Sequence, residues 1–181
     1  MLHYLRFACI APHAFFVIFL IAFSARATGS TWNLITHIVS CIIFGIYLPA
    51  ALIFAFARRH SGKHTFFDAA WGEAAYIVAQ MILALLSMIF SIIKYVHYPP
   101  FHWEGADTSR KTNLIPVAVL SAVNCAVLFA WLVVVLLFVQ RAKRNGTGDW
   151  GKGITWMQQD EAERQKVGDA ERLRKVQSYD A

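Results

Sequence analysis

The chain has 181 residues, of which 57% are hydrophobic and only 15% charged, against about 45–50% and about 25% in ordinary soluble domains. With 5 Pro, 10 Gly and 3 Cys it also lacks the composition of a disordered, collagenous or disulfide-stapled chain. Its charge is segregated: of 17 Lys/Arg and 11 Asp/Glu, nine and seven fall between Gln140 and Ala181, as in an integral membrane protein with a polar tail.

Spanning a bilayer takes about 20 mostly apolar residues in a helix. Four segments qualify, in chain order Phe7–Ala25, Asn33–Ala57, Phe67–Tyr95 and Leu114–Val139. Their apolar runs are continuous, whereas strands of a membrane barrel would alternate with polar residues. The first carries Pro12 and His13. Its flanks, Arg6 before and Ala25-Arg26-Ala27 after, imitate a signal peptide. However, its 19 apolar residues exceed the about 7–15 of such a peptide, so it reads as a retained span. The second carries His37 near its start and Gly45 and Pro49 further on, residues expected to bend it. The third has a helical approach from Phe66, with Thr65 and Asp68 as capping residues, and is stopped by Pro99-Pro100. The fourth opens with Asn113 and Pro116.

Short connections make neighbouring helices antiparallel, which gives an all-α four-helix membrane domain over residues 1–144 and a polar, partly helical or disordered tail over 145–181. Lys and Arg collect on the side of both termini: Arg6, Arg58, Arg59, Lys63, Arg141, Lys143 and Arg144, against Arg26, Lys94, Arg110 and Lys111 opposite. That bias places both ends in the cytosol, in the plasma membrane or an endomembrane. Arg58, Arg59, Lys63, Arg141, Lys143 and Arg144 are then expected to contact anionic lipid headgroups. The net charge of +6 follows from topology and does not indicate nucleic-acid binding.

Polar groups inside spans are the candidates for function, each weighed against simple interhelical bonding. They are His13, Glu73, Gln80 and Asn124. Glu73 with Gln80 seven residues on suggests an ion- or proton-binding face of a small transporter or channel subunit; its edge position and the nearby basic residues favour instead an interfacial residue within reach of Arg58 or Arg59. His37 and His97 are the one pair whose depths suit a bis-histidine haem, a weaker reading than interior histidines that simply hydrogen-bond. No cofactor or metal is expected. Cys9, Cys41 and Cys125 all lie in spans and read as small apolar residues. The chain contains no HExxH, GxSxG, complete P-loop or CxxC, and no pair of carboxylates placed for acid/base work, so the reading is non-enzymatic.

The most ordered pattern is a ladder of small residues on the fourth span, Ala118, Ala122, Ala126 and Ala130. Small-xxx-small faces let membrane helices approach closely. The ladder either packs inside the bundle, the simpler expectation, or joins copies of the chain or other membrane proteins.

The arrangement over roughly Leu5–Arg144 resembles the MARVEL-type four-span proteins, particularly short fungal ones. The likeness lies in Arg6 ahead of the first span, the basic loop Arg58-Arg59, and the third-span opening Phe67-Asp68-Ala-Ala-Trp71-Gly-Glu73. The resemblance implies membrane apposition, organisation of membrane subdomains or protein assemblies, or vesicle-linked traffic, with no catalytic residues.

Overall fold

A computed structural model describes residues 2–26, 31–57, 66–67, 69–97, 114–148, 150–154, 157, 160, 162–168 and 170. Among these residues there is no strand. Four long helices form the all-α bundle: α1 Leu2–Arg26, α2 Thr31–Ala57, α3 Ala70–His97 and α4 Leu114–Arg144. The shortest has 25 residues, and at about 1.5 Å per residue each exceeds the roughly 30 Å hydrocarbon core of a bilayer. Their apolar windows have mean hydropathies between 2.0 and 2.8.

Helix boundaries differ from the sequence expectation in two instructive places. α4 runs on through Gln140 to Arg144, because good helix formers continue the apolar run. α3 begins at Ala70, and the expected helical approach at Phe66 and Phe67 is a turn. The predicted caps Thr65 and Asp68 lie outside the described residues, as do the connection 58–65, with Arg58, Arg59 and Lys63, and the segment 98–113. Pro12 and Pro49 are accommodated inside α1 and α2.

Two compact units are built from these elements: Met1–Ala50 with Ala74–Val134, and Ala51–Glu73 with Val135–Ala181.

The first unit is a bundle with an inverted distribution of polarity. Its buried positions include Val17, Leu20, Ile77, Leu128 and Trp131, but also His13, Asn33, His37, Ser40, Gln80, Ser87, Ser91, Ser121 and Asn124. Many of its large aliphatic residues, such as Ile18, Ile46, Ile82, Ile89 and Val119, are exposed. In water this would be a costly surface. In lipid it is the expected one, since apolar side chains gain nothing by turning inward while polar groups must find partners. On α3 the buried register is Ile77, Gln80, Ala84, Ser87 and Ser91, a seam with alternating steps of three and four. α2 and α3 pair antiparallel: Asn33 meets Ser91, His37 meets Ser87, Ser40 meets Gln80, and Tyr47 stacks on Tyr76.

The second unit closes around Ala69, Ala70, Val135, Phe138, Val139, Ala142, Ile154 and Met157. α4 ends in a Schellman motif: Gly146 has φ 64°, Thr147 N–H donates to Ala142 O and Gly146 N–H donates to Lys143 O. The chain then returns, and the carbonyls of Lys152 and Trp150 accept from the N–H groups of Ala70 and Trp71. These are among the donors that a helix start leaves unpartnered. The sequence suggests a solvated tail. That description suits residues 162–168, which are helical and exposed, but not Thr147, Ile154 and Met157, which are buried.

Candidate functional site in the bundle interior

The strongest concentration of chemistry lies inside the first unit, where hydrogen bonds link all four helices. His13, on α1, is fully buried. Its Nδ1 is 2.9 Å from Asn124 Oδ1 on α4 and its Nε2 is 3.1 Å from the Tyr76 hydroxyl on α3. A carbonyl oxygen can only accept, so Nδ1 carries the hydrogen and Nε2 accepts from Tyr76. Around the imidazole stand Phe44, Tyr76 and Trp131, with ring centroids 5.5, 6.2 and 6.1 Å away. Gln80, one turn beyond Tyr76 on α3, lies within hydrogen-bonding range of the same hydroxyl. It is held to α2 twice: Ser40 Oγ donates to its Oε1, and its Nε2 donates to Ser40 O at 3.0 Å.

A second group sits nearer the starts of α2 and α4. Ser121 donates to Ser87 Oγ at 3.3 Å, and Ser87 Oγ is 2.7 Å from His37 Nε2. The Ser87 hydroxyl, with one hydrogen and two lone pairs, donates to His37 Nε2 or accepts from it according to the imidazole tautomer. A third pairing, Asn33 Nδ2 to Ser91 Oγ at 2.8 Å, lies one turn further along both helices. Both histidines thus face hydroxyls through Nε2, and the described partners of these three groups carry no formal charge.

Three of the sequence candidates, His13, Gln80 and Asn124, are in this interior system. Glu73 is buried in the first turn of α3, where a carboxylate complements the partial positive charge of a helix start, and it belongs to the other compact unit. The haem pair is not assembled. His37 is buried against Ser87, while His97 is exposed and bonded to its own helix at Ile93 O. Among the described residues no cluster of three or more His, Cys, Asp or Glu could hold a metal ion.

The Ala ladder does not face the interior. Ala118 is half-buried, and Ala122, Ala126 and Ala130 are exposed on the outside of α4. The inward face is instead Val117, Ser121, Asn124, Leu128 and Trp131. This removes internal packing as the explanation of the ladder. Of the expected headgroup contacts, Arg141, Lys143 and Arg144 are exposed in the last turn of α4. Exposed Phe66, Trp71 and Trp150 belong to the same compact unit, and the two tryptophans have the amphipathic character of interfacial anchors; Trp156 lies outside the described residues.

Sequence reasoning missed Ser40, Ser87, Ser91, Ser121, Asn33 and Tyr76 as partners. The signal was present on α3 as a polar seam at Gln80, Ser87 and Ser91, steps of seven and four. Comparison with protein-family models, with curated proteins and with solved structures finds no match. The four long apolar helices and the inverted polarity make the chain a multi-pass membrane protein.

Proposed function

We propose that this chain is a non-enzymatic four-span protein that organises membrane subdomains or membrane-protein assemblies by lateral helix association along α4. One observation carries the reading: Ala122, Ala126 and Ala130 form an exposed strip on α4, while its hydrogen-bonding residues Ser121 and Asn124 turn inward. Such a strip lets a second helix come close, and close approach is what membrane helices gain from associating. Most of the described buried polar residues of the bundle bond to one another, which leaves packing as the main means of engaging neighbours. Arg141, Lys143 and Arg144 add attraction to anionic headgroups of about 1 kcal/mol each near the surface, in keeping with cytosolic termini. The role agrees with the MARVEL-type resemblance.

The test is energy transfer between differently labelled copies of the full chain in lipid vesicles. Ala122→Leu with Ala126→Leu is expected to reduce transfer several-fold, and Ile82→Leu on the exposed side of α3 to leave it unchanged. Undiminished transfer in the double variant rejects α4 as the associating face.

A further inference from the structure

We infer that the end of the bundle where α1 and α3 finish and α2 begins is a water-binding well that gives solvent protons access to His37. Two buried oxygens mark it. Ser24 Oγ, in the last turns of α1, and Asn33 Oδ1, in the first turns of α2, have no hydrogen-bond partner among the described residues. Their residues are 2% and 0% exposed. Leaving such groups unpartnered in an apolar interior costs about 1–3 kcal/mol each. Buried groups of this kind are ordinarily satisfied by ordered water, which itself needs two to four polar partners. The surroundings supply them: Asn33 also engages Ser91, and Thr36 is buried one turn along, its hydroxyl bonded to Trp32 O.

The chemistry selects the occupant. A bound ion would need a compensating charge or a full set of ligands. The groups here are a carboxamide and hydroxyls, which suit water.

From this layer to the imidazole is a single helical turn: Asn33 to His37 on α2, and Ser91 to Ser87 on α3. There a line of hydroxyls reaches the imidazole. Ser121 donates to Ser87, and Ser87 Oγ lies 2.7 Å from His37 Nε2, to which it donates when the neutral ring carries its hydrogen on Nδ1. On proton entry, Ser87 passes its hydroxyl hydrogen to Nε2 and takes one from Ser121. Ser121 is refilled by a hydronium ion, which leaves as water. The imidazole gains one proton and one positive charge, and no bond between heavy atoms changes. The described groups on His37 from α3 and α4, Ser87 and through it Ser121, are both uncharged. His13 lies deeper, facing Tyr76 from α3, Asn124 and Trp131 from α4, and Phe44 from α2; of these only Tyr76 titrates.

The experiment is water-edited solid-state NMR of the full chain in lipid bilayers, with isotope-labelled His, Asn and Ile. Magnetisation from water is expected to reach Asn33 Nδ2 and the His37 ring several-fold faster than Ile46 or Ile82 on the lipid-facing side, and the His37 ring nitrogens are expected to follow bulk pH. Asn33→Leu, which fills the layer with hydrocarbon, should slow transfer to His37 several-fold while the exposed His97 ring is unaffected. Ser24→Val, which replaces the hydroxyl by two methyl groups, should do the same to a lesser degree and serves if Asn33→Leu fails to fold. Transfer to Asn33 and His37 as slow as to the lipid-facing isoleucines overturns the inference. So does undiminished transfer to His37 in a folded Asn33→Leu or Ser24→Val protein.

Discussion

At the scale of single residues, the interior bonds are worth less than their number suggests. In a membrane the unfolded reference state also finds hydrogen-bond partners, and measured interhelical bonds average about 0.6 kcal/mol with a maximum near 1.7. A double-mutant cycle on His13→Ala and Asn124→Ala is therefore expected to give a coupling energy of about 0.6–1.7 kcal/mol, read from unfolding in mixed micelles. Zero coupling would mean that the 2.9 Å contact contributes nothing beyond the two residues' separate packing. Steric limits are harsher. A Cβ added to Gly72 would run into the Phe66 carbonyl oxygen, a backbone atom unable to move alone. A Cβ on Gly148 would press on the side chain of Met157, at 2.5 Å, which has rotatable bonds to yield with, and would touch the Lys152 side chain at an ordinary 3.5 Å. Gly72→Ala should thus destabilise the protein by about 2–4 kcal/mol and Gly148→Ala by under about 1 kcal/mol. Equal midpoints in a thermal-unfolding comparison would contradict the placement of the turn at Phe66.

At the scale of elements, the helices were legible in the sequence and their partners only partly so. Hydropathy alone finds four runs because a bilayer demands continuous apolar length, and no tertiary contact can override that demand. Which face turns inward is a different question. In soluble proteins apolar residues mark the buried face; here lipid reverses the rule, so Ala122, Ala126 and Ala130 lie outside while Ser87, Ser91 and Ser121 lie inside. Serines among large aliphatics are weak signals singly, and their meaning emerges only when α3 places Gln80, Ser87 and Ser91 on one seam. The start of α3 was illegible for another reason: the acceptors for Ala70 and Trp71 are carbonyls at Lys152 and Trp150, about eighty residues distant and carrying no sequence signature. The end of α4, by contrast, is local. Gly146 at φ 64° sits where any other L-residue pays about 1–2 kcal/mol. Gly146→Ala should lower stability by that amount and raise amide exchange at Thr147, whose N–H closes the motif on Ala142. Unchanged exchange at Thr147 would show that the motif does not depend on the glycine.

At the scale of the whole molecule, what holds the chain in the membrane and what organises its polar end are separate. Membrane residence follows from four helices with mean hydropathies between 2.0 and 2.8, a property of sequence that no local rearrangement removes. The packing of Ile154 and Met157, 2% exposed each, follows instead from a chain reversal whose hydrogen bonds cap α3. A chain ending at Gly146 keeps every apolar helix and loses that reversal. It should remain in the membrane pellet after alkaline carbonate extraction, as should the full chain. Its Ala70 and Trp71 amides, deprived of the Lys152 and Trp150 carbonyls, should exchange with deuterium at least about tenfold faster, because each bond lost is worth about 1–1.5 kcal/mol of local opening. The interior bonds of Ser40 to Gln80 and Ser87 to His37 involve no residue beyond Asn124, so amides at Ile77 and Ala84 should exchange as before. Two outcomes would count against this division. Release of the shortened chain by carbonate would tie membrane residence to the tail, and slow exchange at Ala70 and Trp71 would mean that something other than those two carbonyls caps α3.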